Sequence, residues 1–344
     1  MKKIKKTIIC KGINDYKINR RMNKLYMPKA GDLAVFKVLE LGKHLAVQGE
    51  NGNNCYIFPG DLILAAFGNR YATDQFEGYV PTQFHKEYQI LGKGGAIGIL
   101  ASMHTKLEDI GTTNVQLVGY AVDNYDEVIN TKFFEKERIT FDPKKERPYE
   151  IILSLGTSMD SGKTTTAAYL SRGLRAAKKK VAFIKLTGTV FTKDRHFVRD
   201  CGADIAIDFS TFGFPSTYLC SQSELMDLHE SLLQNVESIE PDYVVIEIAD
   251  GLLQRETAML LQNHHFMSQI SSVIFSAADS LGVISGLQIL KRMNIEVFAI
   301  SGLFTASPLL IEEVEGVAQQ PVLTLEKLSS SNVLTLLEKQ IKAA

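Results

Sequence analysis

Between about Asp32 and Asp123, short apolar runs are separated by Gly, Asn and Asp: LAVFKVLEL, HLAVQ, CYIF before Pro59-Gly60, DLILAAF before Gly68-Asn69, YQIL, AIGILAS and VQLVGYAV. Runs of this length, with turn residues between them and few helical periods, predict a small β-barrel or sandwich over 32–123. From Asn124 to Arg147 the chain is strongly charged and ends in FDPKKERPYE, so 124–148 reads as a linker. Beyond it, strands near 150–155, 181–186, 204–209, 243–248, 272–277, 296–301 and 321–325 alternate with helices near 162–178, 221–238, 255–269, 280–293 and 330–342. That alternation predicts an α/β domain over 149–344, a doubly wound parallel sheet covered on both faces. The chain has no internal repeat and no low-complexity tract.

Composition agrees with two folded domains. The 344 residues are 45% hydrophobic and 22% charged, enough apolar side chain for real cores and too little charge bias for disorder. No run approaches the roughly 18 apolar residues of a membrane span. The start, MKKIKKTIICKGIND, has too short an apolar run for a signal peptide, so a cytoplasmic protein without membrane attachment is expected. Cys10, Cys55, Cys201 and Cys220 are scattered without a CxxC, as free thiols are, and not as disulfides or a zinc site. The net charge of -1 conceals an asymmetry: residues 1–30 hold ten Lys/Arg and one acid, Asp15. Residues 1–31 therefore read as a basic arm. Because it also carries Ile4, Ile8, Ile9, Ile13, Ile18, Leu25 and Met27, it is expected to fold back on an acidic surface and not to bind nucleic acid.

The sharpest chemical signal follows the strand IILSL. There the chain reads Gly156-Thr157-Ser158-Met159-Asp160-Ser161-Gly162-Lys163-Thr164, then Thr165 and a good helix. In a strand–loop–helix unit of this kind, successive backbone N–H groups and the helix N-terminus hold a polyphosphate. Gly156, Thr157, Asp160, Ser161, Gly162, Lys163, Thr164 and Thr165 are the expected cradle, with Lys163 on the β- and γ-phosphates and the Thr164 hydroxyl on Mg²⁺. Five residues, not four, separate Gly156 from Gly162, one more than the strict Walker pattern has.

That longer loop, GT-x₄-GKT, resembles dethiobiotin synthetase and its relatives among P-loop proteins. After the helix, VAFIKLTGT resembles the family's second strand, which ends in a substrate-side lysine and places Lys185 there. DYVVIEIADG resembles the strand ending in a glutamate near Mg²⁺, which places Glu247 there, and VIFSAADSLGVISGLQIL resembles the strand and helix start that follow. The likeness covers roughly 149–303 and leaves the N-terminal half outside it. A narrower resemblance, carried by LTGT, Gly202-Ala203-Asp204-Ile205-Ala206-Ile207-Asp208-Phe209 and Gly213, is to a P-loop family with some members linked to N-acylation of D-amino acids.

The individual residues add to this. Glu247 follows YVVI, so it emerges at the carboxyl end of a buried strand, where open α/β sheets place ligands. Asp250, just before Gly251, reads equally as a turn residue, and Asp160 either meets water or metal or braces the loop. The first resemblance implies that an acid between the second strand and Glu247 completes the Mg²⁺ shell; Asp208 takes that place, with Asp204 and Asp194 as competitors. Lys185 ends an apolar strand, where a cation needs a cleft or an anion, and Thr187, Gly188 and Thr189 stand ready to supply donors to the same group. His264-His265 diverge by about 100° on a helix and cannot share a metal. In the β-rich half, Arg70 and the Gly92-Lys93-Gly94-Gly95 loop offer Arg70 and Lys93 to an anionic substrate. Together these features predict a Mg²⁺-dependent, ligase-like enzyme that activates a small metabolite by phosphoryl transfer, and the resemblance implies ATP as its nucleotide and a homodimer as its state. A CoA-dependent N-acyltransferase gripping CoA phosphate and a nucleotide-switched binding or metal-delivery NTPase are the alternatives.

Overall fold

A computed structural model describes residues 3–134 and 137–341 of the chain. The chain forms two units. The first comprises Met1–Arg138 with Gly188–Thr192 and Phe209–Leu219; the second comprises Ile139–Thr187, Lys193–Asp208 and Cys220–Ala344.

Among the described residues the first unit has ten strands: β1 (Ile4–Lys6), β2 (Lys17–Asn19), β3 (Leu33–Glu40), β4 (Ala46–Gln48), β5 (Asn54–Tyr56), β6 (Leu62–Phe67), β7 (Phe76–Tyr79), β8 (Tyr88–Gly92), β9 (Ala96–Met103) and β10 (Asn114–Val122). Eight of them join in one sheet, in the order β1-β6-β3-β10-β8-β9-β7 with β2 on β10, while β4 and β5 form a separate hairpin. Because β6 also pairs with β9 in parallel, the strands β6, β3, β10, β8 and β9 form a ring in which each meets two neighbours. Alternation along the strands sends Phe36, Phe67, Tyr88 and Tyr120 to one buried cluster. There Phe36 and Phe67 meet edge to face at 5.3 Å and Phe67 and Tyr88 at 5.6 Å, the geometry that ring quadrupoles favour.

Residues 1–31, expected as a basic arm, are part of this unit where they are described. The strand β1 runs parallel to β6, β2 pairs with β10, and Ile8, Ile9, Cys10 and Ile13 are buried. The apolar residues decide the outcome, and part of the charge is paired, as where Lys5 meets Asp61 at 2.6 Å. Segment 124–148, expected as a linker, is likewise engaged. Val128 bridges Val122, Asn130 bridges Asp32, and Thr131–Phe133 makes a 3₁₀ turn. Further on, Arg147 meets Glu230 at 2.6 Å and Glu237 at 3.0 Å, so its charge is held by partners and not by water.

The second unit has a six-stranded, all-parallel sheet of β11 (Glu150–Gly156), β12 (Val181–Lys185), β13 (Ile205–Asp208), β14 (Tyr243–Glu247), β15 (Ser272–Ser276) and β16 (Ala299–Ser301), in the order β13-β12-β14-β11-β15-β16. Its helices are α1 (Lys163–Ala176), α2 (Lys193–Cys201), α3 (Gln222–Val236), α4 (Arg255–Leu261), α5 (His264–Met267), α6 (Ser280–Arg292), α7 (Pro308–Glu315), α8 (Leu325–Ser329) and α9 (Val333–Ile341). The α/β alternation read from the sequence is therefore present. Its details differ. The helix expected over 255–269 breaks at Asn263, whose side chain caps α5. The strand expected at 321–325 is reduced to one bridge, Ile300 with Val322. The helix expected over 330–342 begins at Val333, after the short α8. Among the described residues all four cysteines are free, and no helix is long and apolar enough to cross a membrane.

Candidate functional site

The loop after β11 springs from the centre of the sheet. In register, Ser154 lies beside Glu247 on one side and Ile274 on the other, and Gly156 beside Ser276. Thr157 N–H donates to the Ser276 carbonyl at 3.0 Å, so this donor continues the sheet and is withdrawn from the phosphate cradle expected of it. Past it the backbone reverses, with Asp160 at φ 59° and Gly162 at φ 96°, both left-handed. Ser161 is fully buried, Gly162 caps α1, and Thr166 N–H closes the first helical bond to the Gly162 carbonyl at 2.8 Å. Concave N–H arrays of this build bind anions. A side chain at Gly156 has no room: its Cβ would lie 2.6 Å from Lys163 Cγ.

Lys163 is the first residue of α1 and is only 6% exposed. Its Nζ donates to the Ser158 carbonyl at 2.6 Å and reaches Ser161 Oγ at 3.4 Å, folding the lysine along its own loop. Burial pushes its pKa down to about 8, against the pull of the Glu247, Asp250 and Asp160 charges. Such a cation lacks a full complement of negative charge, which a polyphosphate supplies. Thr164 and Thr165 follow in the first turn, half-buried.

The carboxyl ends of β12 and β14 bring charge to the same sheet edge. Lys185 and Glu247 are paired in register, and Lys185 Nζ meets Glu247 Oε1 at 3.0 Å. Lys185 also forms an ion pair with Asp194 from α2. Burial opposes its charge, but Glu247 and Asp194 hold the lysine above its ordinary range. Glu247 is 1% exposed, and its second oxygen, Oε2, is buried without a hydrogen-bond partner among the described residues. A buried carboxylate oxygen left unsatisfied is costly, and it marks a place where a cation or donor belongs.

The remaining candidates divide. Asp208, at the end of β13 beside Lys185 in register, is buried and meets Arg195 at 3.4 Å. Asp204 stands at the opposite end of that strand, where it accepts from Val181 N–H at 2.9 Å and pairs with Arg175 at 3.0 Å, so it is a structural residue and not a competitor for Mg²⁺. Thr187 Oγ1 accepts from Ala249 N–H at 2.9 Å, joining the strand ends. Gly188 N–H donates to Thr217 Oγ1 at 2.9 Å, so its donor is already engaged within the first unit. Arg70 and Lys93 also lie in the first unit. Asp250 adopts φ 62°, as a turn residue does, while its charge acts on Lys163.

One contributor escaped the sequence reading. A Cβ on Gly251 would collide with the Thr157 carbonyl and lie 2.8 Å from its carbon, so the chain after β14 presses directly on the loop. The sequence showed only an Asp-Gly turn there, and the close approach comes from the parallel register of β14 and β11.

The donor set suits a hard divalent cation. An unsatisfied carboxylate oxygen on Glu247 and the Thr164 hydroxyl are oxygen ligands of the type Mg²⁺ takes. Among the described residues no group of three or more His, Cys, Asp or Glu is placed to hold a metal, so phosphate oxygens and water must complete such a shell.

No family model matches the chain, and no curated protein matches it. Several solved structures resemble part of it at low identity. The signal recognition particle receptor FtsY from Elizabethkingia anophelis is 18% identical, with 57% of this chain and 66% of that one covered at a TM-score of 0.35. The same receptor in complex with GDP is 17% identical, covering 63% and 75%, with a TM-score of 0.39. The signal recognition particle 54 kDa protein from Aeropyrum pernix K1, also in complex with GDP, is 16% identical, covering 59% and 51%, with a TM-score of 0.37. This chain thus spans less than two thirds of the first of these and about half of the last.

Proposed function

We propose that this protein binds a Mg²⁺-nucleoside triphosphate in the loop Gly156–Thr164, with ATP as the working nucleotide, and transfers its γ-phosphoryl group to an oxygen of a small metabolite in a ligase-like reaction. The observation that carries this reading is the buried, unpaired Oε2 of Glu247 on the strand beside the loop, together with Lys163 and Lys185. Two lysines and one unsatisfied carboxylate oxygen fit a phosphate chain with its divalent ion.

Each residue then has a defined task. The backbone N–H groups from Met159 to Thr164 would face the phosphates, whereas the Thr157 N–H serves the sheet. Lys163 exchanges its bond to the Ser158 carbonyl for one to the β- and γ-phosphates. Thr164 and Glu247 would hold the ion, and Mg²⁺, when bound, neutralises charge developing on the phosphate oxygens. Lys185, held charged by Glu247 and Asp194, would orient the acceptor. A substrate carboxylate or carbamate oxygen attacks the γ-phosphorus, the bond to the bridging oxygen breaks, and ADP leaves. A substrate amine can then displace phosphate from the activated carbonyl. Transfer of this kind is chiefly positioning and charge stabilisation, and it needs no Ser–His pair.

One observation favours a second reading, a nucleotide-switched NTPase. The chain segments after β12 and β13, Gly188–Thr192 and Phe209–Leu219, belong to the first unit although the strands they leave belong to the second. Product analysis separates the readings. Substrate-dependent release of ADP in the presence of Mg²⁺ supports the ligase. Slow hydrolysis independent of small metabolites supports the switch, and free thiol from an acyl-CoA without ADP overturns both in favour of an acyltransferase.

A further inference from the structure

A short turn of the first unit presents one leucine to solvent. The 3₁₀ turn Arg21–Lys24 is anchored from inside: Met22 packs on the apolar cluster of the unit, Asn23 Nδ2 donates to the Val118 carbonyl at 3.2 Å, and the Tyr26 ring meets Tyr120 edge to face at 5.0 Å. Tyr26 N–H donates to the Met22 carbonyl at 2.9 Å, a helical bond that puts these two side chains on one face. Leu25 between them points the other way and is 85% exposed. Met27 and Phe84 are exposed as well.

Around this leucine the charge has one sign. Arg20, Arg21 and Lys24 line an open groove of about 510 Å³ together with Lys86 and Gln116, and no Asp or Glu contributes to its wall. Lys37 lies opposite Gln116 in the antiparallel pairing of β10 and β3, so it shares that face of the sheet. Among the described residues none of these five cations forms an ion pair, whereas Lys5 and Lys6 at the start of the chain do. Glu87 follows Lys86 in the chain but does not line the groove. Lys24 lies over the Phe84 ring at 5.9 Å.

We propose that this face docks on an anionic phospholipid surface, with headgroup phosphate in the groove among Arg20, Arg21, Lys24 and Lys86, and with Leu25 and Met27 entering the acyl boundary. Unpaired cations around exposed apolar side chains are the complement of such a surface, where phosphate lies just outside hydrocarbon. A nucleic-acid strand would use the same cations, but it gives two exposed aliphatic side chains no place, and the Phe84 ring on which a base would stack already carries Lys24. Docking of this kind revises the expectation of a chain without membrane attachment. A long apolar segment is needed to span a bilayer and not to lie on one. Every residue of this face belongs to the first unit, so the docking stands apart from the nucleotide reading.

The test is flotation of the full-length protein with vesicles of phosphatidylcholine, alone or with about one third phosphatidylglycerol. The expected result is partitioning to the anionic vesicles that is stronger by about tenfold or more at low ionic strength and is lost near about 0.5 M salt. Replacing both arginines, Arg20→Gln with Arg21→Gln, should weaken that partitioning about thirtyfold, and Leu25→Asn about tenfold. Lys291→Gln, at an exposed position on α6 of the second unit, should leave it unchanged. Equal partitioning to both kinds of vesicle, or partitioning that survives the arginine pair or Leu25→Asn, overturns the proposal. So does binding of a single-stranded oligonucleotide, read by fluorescence anisotropy and abolished by the arginine pair, when no protein floats with anionic vesicles.

Discussion

Lys163 is where burial and charge meet most directly. Its pKa of about 8 in the fold, against 10.5 for a free lysine, means that the folded apo protein binds fewer protons than the unfolded chain between these values. Apo stability should therefore rise with pH across that window, and the cost of the buried charge is fully present below about pH 8. A triphosphate reverses the balance by favouring the ammonium. Nucleotide affinity should fall as pH rises through about 8, and binding near pH 9 should take up a proton, measurable by calorimetry in buffers of different ionisation enthalpy. The Lys163→Met variant should abolish both effects and raise the apo melting temperature at pH 7. Glu247→Gln is the companion test. It should spare nucleotide binding and lower turnover by about a hundredfold or more, about 2.7 kcal/mol of barrier, in a steady-state assay for ADP. The sequence places both residues in their elements: the glycine loop sets Lys163 at the start of a helix, and the run YVVI sets Glu247 at the end of a buried strand. The Gly188 N–H is already engaged by Thr217 Oγ1, and Thr187 Oγ1 accepts from Ala249 N–H while keeping its own proton to donate; a sequence shows neither bond.

At the scale of elements, the strand–loop–helix of β11 and α1 was visible from the order of residues, because a continuous apolar run followed by a glycine loop leaves few other structures. The neighbour that compresses the loop was not. Gly251→Ala should force the end of β14 away from the Thr157 carbonyl, weakening nucleotide binding about tenfold in a titration while the first unit unfolds as before. A control lies on α3, where Ser221 and Glu224 form a reciprocal capping box. Ser221→Ala should cost about 1 kcal/mol in a denaturant melt and leave nucleotide affinity unchanged. The helices α2 and α7 went unpredicted for opposite reasons: α2 is a polar surface helix with Val198 as its one buried residue, and α7 is a short one with Val314 buried. The isoleucines of the basic arm led to the expectation that it folds back, and a sequence does not show what it pairs with: Ile4 lies in a strand beside β6, and Ile8, Ile9 and Ile13 are buried.

For the whole molecule, two units were predictable from the change from β-type runs to α/β alternation, but the division itself is discontinuous. Two short segments far along the chain, Gly188–Thr192 and Phe209–Leu219, join the first unit through bonds such as Gln48 Nε2 to Thr192 Oγ1 at 2.8 Å. Local sequence patterns carry no sign of such long-range pairing. The charged stretch before Tyr149 was read as a linker because its partners, Glu230 and Glu237, lie more than eighty residues away. The central claim for the molecule is that its glycine loop holds a nucleotide triphosphate through Lys163. Isothermal titration of the full-length protein with ATP, with and without Mg²⁺, alongside Lys163→Ala, tests it most directly. The account predicts saturable one-to-one binding that is strengthened by Mg²⁺ and lost in the variant; equal heats from both proteins, or no binding of ATP or GTP to either, would contradict it.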